Sequence, residues 1–460
     1  MVDNVSELAN RLKSEATDTN PRDLAQALTR LVGRGDLIPG ARLPTIRALA
    51  DELAISVSTL NSAWRLLRES NVISTRRRGG SVISGNPPPP RAKRIEGLLT
   101  ADPGNFAHDL SRLVPDASFL PDLGPAVAHA TAEASLNTYA PAGIIDALRE
   151  PVANEWPFIA DDFFVTNGGY DALALLMRVL LSSTSSVAVE EPTSPRLLDI
   201  IDTIGAKVLP VTCDEYGPDP DALRQVMQSR PATFIFQTRA QSPTGYSLTA
   251  QRLDELVTVL APSEVVIVEN DSQPGVSCGP DLSVGTSLPD RTVHIHSYSK
   301  SHGPDLRIGV IGGAKQIVER VRVLRSFDAG WTSRLLQGAL AYLLDDPASV
   351  AQVTAARETY AMRRKALALE LGRYDVHTAS RDGMALWLPV HSETATVAVL
   401  ASRGIAVQPG SHFYSVVPAS EHIRVSVSRL MDGFDELAES LAAARNSTWA
   451  QLGTINRAGR

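Results

Sequence analysis

The chain has 460 residues, 43% hydrophobic and 21% charged, with a formal net charge of −7 at pH 7. That length exceeds one ordinary domain, and the composition is that of a globular protein. Its two cysteines, Cys213 and Cys278, and the lack of any Cys/His cluster at ligand spacing argue against a disulfide framework or a zinc site, and no apolar run is long enough to cross a bilayer.

The opening stretch, "MVDNVSELANRLKSEA", is polar and carries acids. It does not read as a secretory leader, so a cytoplasmic protein is expected. Residues 1–20 are read as an extension. Residues 21–95 then hold thirteen Lys/Arg against five Asp/Glu, whereas the rest of the chain is acidic. A basic block ahead of an acidic body suggests a nucleic-acid module joined to something else. "PRDLAQALTRLVGRGDLIPG" predicts an amphipathic helix with Leu24, Leu28 and Leu31 on one face, stopped near Gly33 and Gly35. Thr45 is placed to cap a helix running to about Leu53, and "AIS" follows as a tight turn. A third helix is expected from near Ser58. On it Leu60, Trp64 and Leu67 share one face, and Asn61, Arg65 and Arg68 share the other. A packed stripe opposite a polar, basic stripe is what a helix in the major groove requires. "NVISTRRRGGSVISG" predicts a hairpin with Arg76, Arg77 and Arg78 at its tip, a wing to lie along phosphates.

The pattern met at Gly35, Leu37, Pro39, Gly40, Leu43, Pro44, Arg47, Leu49, Ala50, Leu53, Ser56 and Thr59 resembles the winged helix-turn-helix of the GntR family. The resemblance implies contacts to double-stranded operator DNA from Thr45, Arg47, Ser58, Thr59, Asn61 and the wing glycine Gly79. Val57 stands where the family often has arginine, so a guanine contact is expected to be missing.

"GNPPPPRAKR", 85–94, cannot continue a helix or a central strand and reads as a semi-rigid spacer. The expected division is a DNA-binding domain over 21–85, a linker over 86–104 and a body over 105–450. In the body, "SVAVEE", "ATFIFQ", "EVVIVEN" and "TVHIHSYS" alternate with helical stretches, predicting βαβ units and a mostly parallel sheet in a large lobe of about 125–330. Short strands after a long helix predict a small α+β lobe of about 331–450.

Within "HSYSKSHGPDLRIG", Lys300 has the surroundings of a covalent catalyst. A lysine works so when it is neutral and set against a carbonyl, which pyridoxal phosphate provides. Ser297 is placed to bond the phosphate, and Arg307, returned by the Gly303–Pro304 turn, to clamp it. In "VTNGGYDALALLM" a strand, a glycine turn and a helix would aim the amides of Gly168, Gly169 and Tyr170 at an anion.

With "YAPAGIIDALREPVA", "EEPTSP", "QSPTG", "VENDSQPG", "VQPGSHF" and "HIRVSVS" in that order, 105–445 resembles the class I aminotransferases, which implies a fold-type I pyridoxal-phosphate domain. The resemblance makes Lys300 the Schiff-base residue, and Ser297, Arg307 and Gly168–Tyr170 the phosphate site. It also implies that Tyr139 reaches the partner's phosphate in a homodimer, and that Arg424 binds the carboxylate of an amino acid. Four positions depart from the family. Ser242 replaces an asparagine that bonds the ring hydroxyl, Ser194 replaces a stacking aromatic, and Gln273 replaces a tyrosine. The acid paired with the ring nitrogen falls on Asn270 or, with a one-residue slip, on Asp271.

The fusion of the two halves resembles the MocR subfamily of GntR regulators. It implies a winged helix-turn-helix joined to an α/β aminotransferase-like domain, acting as a transcriptional regulator that senses pyridoxal phosphate, an amino acid or an amine. The alternative is an active class I aminotransferase with an appended helix-turn-helix. No membrane partner is expected.

Overall fold

The computed structural model describes residues 5–16, 19–33, 36–76, 80–84, 94, 106–132, 136–139 and 143–447. Two compact units divide the chain, Met1–Arg91 and Ala92–Arg460.

The first unit contains helices α1 (Val5–Glu15), α2 (Pro21–Gly33), α3 (Ile46–Leu53) and α4 (Val57–Glu69), then a hairpin of β1 (Ile73–Arg76) and β2 (Gly80–Ile83). Local chemistry sets the helix starts. The Thr45 hydroxyl accepts the Ala48 N–H at 3.3 Å, and the Ser56 hydroxyl accepts the Thr59 N–H at 3.0 Å. Each satisfies one of the donors that a helix start leaves without a partner. Ala54, at φ 58°, ends α3 in the left-handed region. In the hairpin, Ile73 pairs with Ile83 and Arg76 with Gly80. Residues Arg77, Arg78 and Gly79, expected at the wing tip, lie outside the described residues, as does the side chain of Arg76.

One finding departs from the reading of 1–20 as an extension. These residues contribute α1, which packs against α2 and α3. Its Leu8, Ala9 and Leu12 are buried in the same core as Leu28, Leu49, Leu60 and Trp64.

Among the described residues, the first strand of the second unit is the two-residue β3 (His108–Asp109). Then follow β4 (Asp162–Thr166), β5 (Ser186–Glu191), β6 (Lys207–Asp214), β7 (Gly217–Pro218), β8 (Thr233–Phe236), β9 (Val266–Asp271), β10 (Thr292–Ser297) and β11 (Gly309–Gly313). These last eight form one sheet in the order β4-β11-β10-β9-β8-β5-β6-β7. The run β10-β9-β8-β5-β6 is parallel, and β11 runs antiparallel to both its neighbours. Parallel strands buried on both faces read as near-continuous apolar runs, as they do here.

The small lobe has the strands β12 (Ala385–Pro389), β13 (Ile405–Ala406), β14 (Gln408–Pro409) and β15 (His422–Ser426) and the long helix Pro347–Gly372. β12, β15 and β14 form an antiparallel sheet, and β13 pairs with β3. The chain just after the linker is therefore part of the small lobe, with Leu110 in its core. Conversely, the helix Arg334–Asp345, expected in the small lobe, buries Ala339, Leu340 and Leu343 in a core shared with Val165, Tyr298 and Ile308 of the large one. No described helix is long and apolar enough to cross a membrane.

Truncating Leu12 leaves a cavity in the first unit's core. Leu12→Ala is expected to destabilise that unit by about 2–5 kcal/mol, measured by denaturant unfolding of the full chain. A change within about 0.5 kcal/mol, as for a surface site, would place α1 outside the core.

Candidate functional site

A cavity of about 320 Å³ lies in the second unit. Its floor is built where β4 and β10 end and β11 begins. The helix Gly169–Leu180 starts there, with Gly168 as its cap at φ 91°. A side chain at Gly309, on β11, would press within 2.9 Å of the Gly169 nitrogen, so glycine lets that strand pass beside the helix start. A β-carbon on Gly168 would sit 3.7 Å from the Arg307 guanidinium carbon and 3.8 Å from the Ser299 hydroxyl. One on Gly169 would sit 3.3 Å from the Ser297 hydroxyl. Helix-start amides, two hydroxyls and a guanidinium thus converge, and such a cluster suits a phosphate. Arg307 holds its place with φ 52°, a left-handed conformation that is unusual for arginine.

Lys300 lines the same cavity, and its amine donates to the Leu113 carbonyl. Burial first, then the charges of Arg424 and Arg196, push its ammonium down to about 8. Arg424, on β15, donates to the Ser111 carbonyl at 2.7 Å and lies over the Phe413 ring at 4.9 Å. Its Nε has no partner, and burial lowers its guanidinium to about 10.

The remaining walls show which expected residues come together. Tyr170, Ser242, Asn270 and Gln273 line the cavity; Asp271 does not. Asp271 is 0% exposed and takes the Arg239 Nε at 2.7 Å. Beside Ser194, the Tyr170 hydroxyl bonds the Ser194 hydroxyl at 3.1 Å, so an aromatic ring does stand at this wall. Tyr139 is not in this cavity. It is 92% exposed, edge-on to Trp331. Among the wall residues that escaped the sequence reading are Ser299, Arg196, Gln237, Ser272 and Arg112. Ser299 was legible as the residue next to Lys300. Arg196 was signalled only by following Ser194 and Pro195 into a helix.

In the first unit, Arg47, Ser58, Asn61 and Arg65 are exposed while Leu60, Trp64 and Leu67 are buried. Thr45 and Ser56 spend a lone pair on their helix starts, and the Ser56 hydroxyl also lies 2.7 Å from those of Ser58 and Thr59. Arg65 leans toward Glu69 at 3.9 Å on the exposed face, a weak contact that leaves it free to move.

Residues 114–441 match the model of aminotransferase class I and II, and 21–83 match that of bacterial regulatory proteins of the gntR family. The vitamin B6 salvage pathway transcriptional repressor PtsJ of Salmonella typhimurium is 31% identical over 88% of this chain and 93% of its own length. The chain belongs to the MocR-type GntR regulators. The pyridoxine biosynthesis transcriptional regulator PdxR of Corynebacterium glutamicum is a second relative, 26% identical over 88% of this chain and 90% of its own. A kynurenine aminotransferase of Pyrococcus horikoshii, solved with PMP, superposes with a TM-score of 0.69 at 19% identity, covering 77% of this chain and 95% of that one. The MocR-type chain thus carries the aminotransferase fold behind a GntR DNA-binding module.

A lysine attacks a carbonyl as the neutral amine. Uptake of pyridoxal phosphate, followed by visible absorption, is therefore expected to quicken as pH rises through about 8 and to level off above it. Lys300→Ala should lose that absorption with its unfolding transition retained. A rate that does not change with pH, or a variant that keeps the absorption, would contradict the role of Lys300.

Proposed function

We propose that this regulator binds operator DNA through its first unit with an affinity set by pyridoxal phosphate, and by an amine or amino acid, in the cavity of the second. It acts in the cytoplasm as a homodimer on paired half-sites. The observation that carries this reading is where Lys300 and Arg424 make their bonds. Both donate to the stretch that follows the linker, at the Leu113 and Ser111 carbonyls. A cofactor that engages Lys300, or a carboxylate that engages Arg424, competes with those bonds and so acts on the chain leading to the DNA-binding unit.

A second tie supports the route. Arg94, at the end of the proline-rich spacer, donates to Asp199 at 3.1 Å and Asp202 at 2.7 Å. Both acids sit on the helix Pro195–Ile204, and Pro195 and Arg196 of its first turn line the cavity.

The residues present fit the cofactor. Gly169, Ser297, Ser299 and Arg307 would hold its phosphate, Tyr170 would flank the ring, and Arg424 and Arg196 would meet the acid groups of an effector. When bound, pyridoxal phosphate supplies a carbonyl for amines and a ring that withdraws electrons. Lys300 supplies an amine whose proton burial makes easier to lose, at about pH 8. Tyr139, exposed beside Trp331, is free to complete a neighbour's site across a dimer. An active aminotransferase is the second reading, favoured by the presence of Lys300, Arg307 and Arg424 together. Steady-state turnover with amino and keto acid pairs separates the two.

Operator affinity should differ with and without pyridoxal phosphate by roughly 5–150-fold, and DNA should shift cofactor affinity by the same factor. Equal affinity in both states, and with every amino acid tried, would sink the sensor reading. Arg94→Ala is expected to shrink the response while cofactor uptake stays unchanged. Asn61→Ala or Arg65→Ala should alter which sequence is preferred, whereas loss of phosphate contacts should weaken binding to all sequences alike and flatten its salt dependence.

A further inference from the structure

The cavity wall is charged in one sense only. Among the described residues its ionisable groups are Lys300 and the arginines 112, 196, 307 and 424, together with Tyr170; no carboxylate lines it. The pleat of β9 is the reason. Successive strand residues face opposite ways, so Glu269 and Asp271 share the face turned from the cavity. There the Glu269 carboxylate accepts from the Ser283 hydroxyl at 2.6 Å and the Val284 N–H at 2.7 Å. Asp271 is paired with Arg239. Asn270, between them, faces the cavity, is 6% exposed, and bonds no other described residue through its side chain. Gln273 is 3% exposed, donates to the Ala240 carbonyl at 2.7 Å, and keeps an Oε1 without a partner. Behind the wall, Glu190 accepts from Gln237 at 2.8 Å, and burial raises its carboxyl to about 8, so at neutral pH it too is mostly uncharged.

We propose that Asn270 holds the ring nitrogen of bound pyridoxal phosphate in its unprotonated form, its amide N–H donating to the ring lone pair. This rests on the cavity taking that cofactor. Pyridoxal-phosphate sites commonly set an Asp against the ring nitrogen, where the carboxylate favours a protonated ring. An amide has no charge to offer, and a proton on the ring would join four guanidinium groups on a wall that carries no carboxylate. An unprotonated ring withdraws electrons weakly. Amines can then reach the cofactor without loss of a proton from carbon, and Asn270 decides between sensing and turnover.

The test uses the full-length protein loaded with pyridoxal phosphate labelled with nitrogen-15 in the ring, read by magnetic resonance at neutral pH. The wild type should show the chemical shift of an unprotonated pyridine, and Asn270→Asp should move it to that of a pyridinium. Addition of L-alanine should convert the cofactor absorption to that of the amine form faster in Asn270→Asp than in the wild type. A pyridinium shift in the wild type overturns the proposal, and that reading stands even if the variant does not fold. A wild-type shift that Asn270→Asp leaves unmoved also overturns it, because Asn270 would not then be the ring's partner. A wild type that takes up no labelled cofactor overturns the cofactor assignment itself, which is told apart because no bound signal appears at either position.

Discussion

A lysine amine is buried beside two guanidinium groups, with no carboxylate on the cavity wall to balance them. An ammonium removed from water in such company is costly, and the group responds by giving up its proton. Lys300 thereby reaches its nucleophilic, neutral form at about pH 8, well below an exposed lysine. The arginines cannot follow, because a guanidinium keeps its proton even when burial lowers it to about 10, as at Arg424. What remains is a reactive amine in a cationic pocket, and a phosphorylated aldehyde satisfies both conditions.

Backbone geometry brings those groups together. The antiparallel strand β11 returns the chain from Lys300 so that Gly309 passes against the start of the helix at Gly169. Arg307 reaches the phosphate cluster only by taking a left-handed conformation. Such strain persists where surrounding packing over-determines it, and it collects at functional sites. The small lobe contributes Arg424 from β15, and the stretch after the linker contributes the carbonyls of Ser111 and Leu113. Lys300 and Arg424 therefore share hydrogen bonds with the stretch 111–113, and a ligand that binds either side chain competes with those bonds.

The DNA-binding unit follows a simpler logic. Two side-chain caps start α3 and α4, a left-handed residue separates them, and a leucine and tryptophan stripe turns Asn61 and Arg65 outward. A unit of this size has little apolar surface to bury, so α1 adds three buried side chains to a core that would otherwise be marginal.

Much of this was legible in the chain because the chemistry lies within a few residues. Thr45 and Ser56 announce helix starts, the stripe at Leu60, Trp64 and Leu67 announces a buried face, and Lys300 stands between Ser297 and Arg307 in one short segment. Other features were not legible. Nothing local distinguishes α1 as core from a polar tail, because its burial depends on which helices it meets. The assignment of 106–116 to the small lobe rests on a strand pairing nearly three hundred residues away in sequence, β3 with β13. Choosing between Asn270 and Asp271 is the sharpest case. Strand side chains alternate with a period of two, so a slip of one residue exchanges the two faces. Sequence alone determined that an amide and an acid sit next to each other on a strand. Only the tertiary structure, by packing Arg239 against one face of β9 and the cavity against the other, decided that the amide lines the cavity.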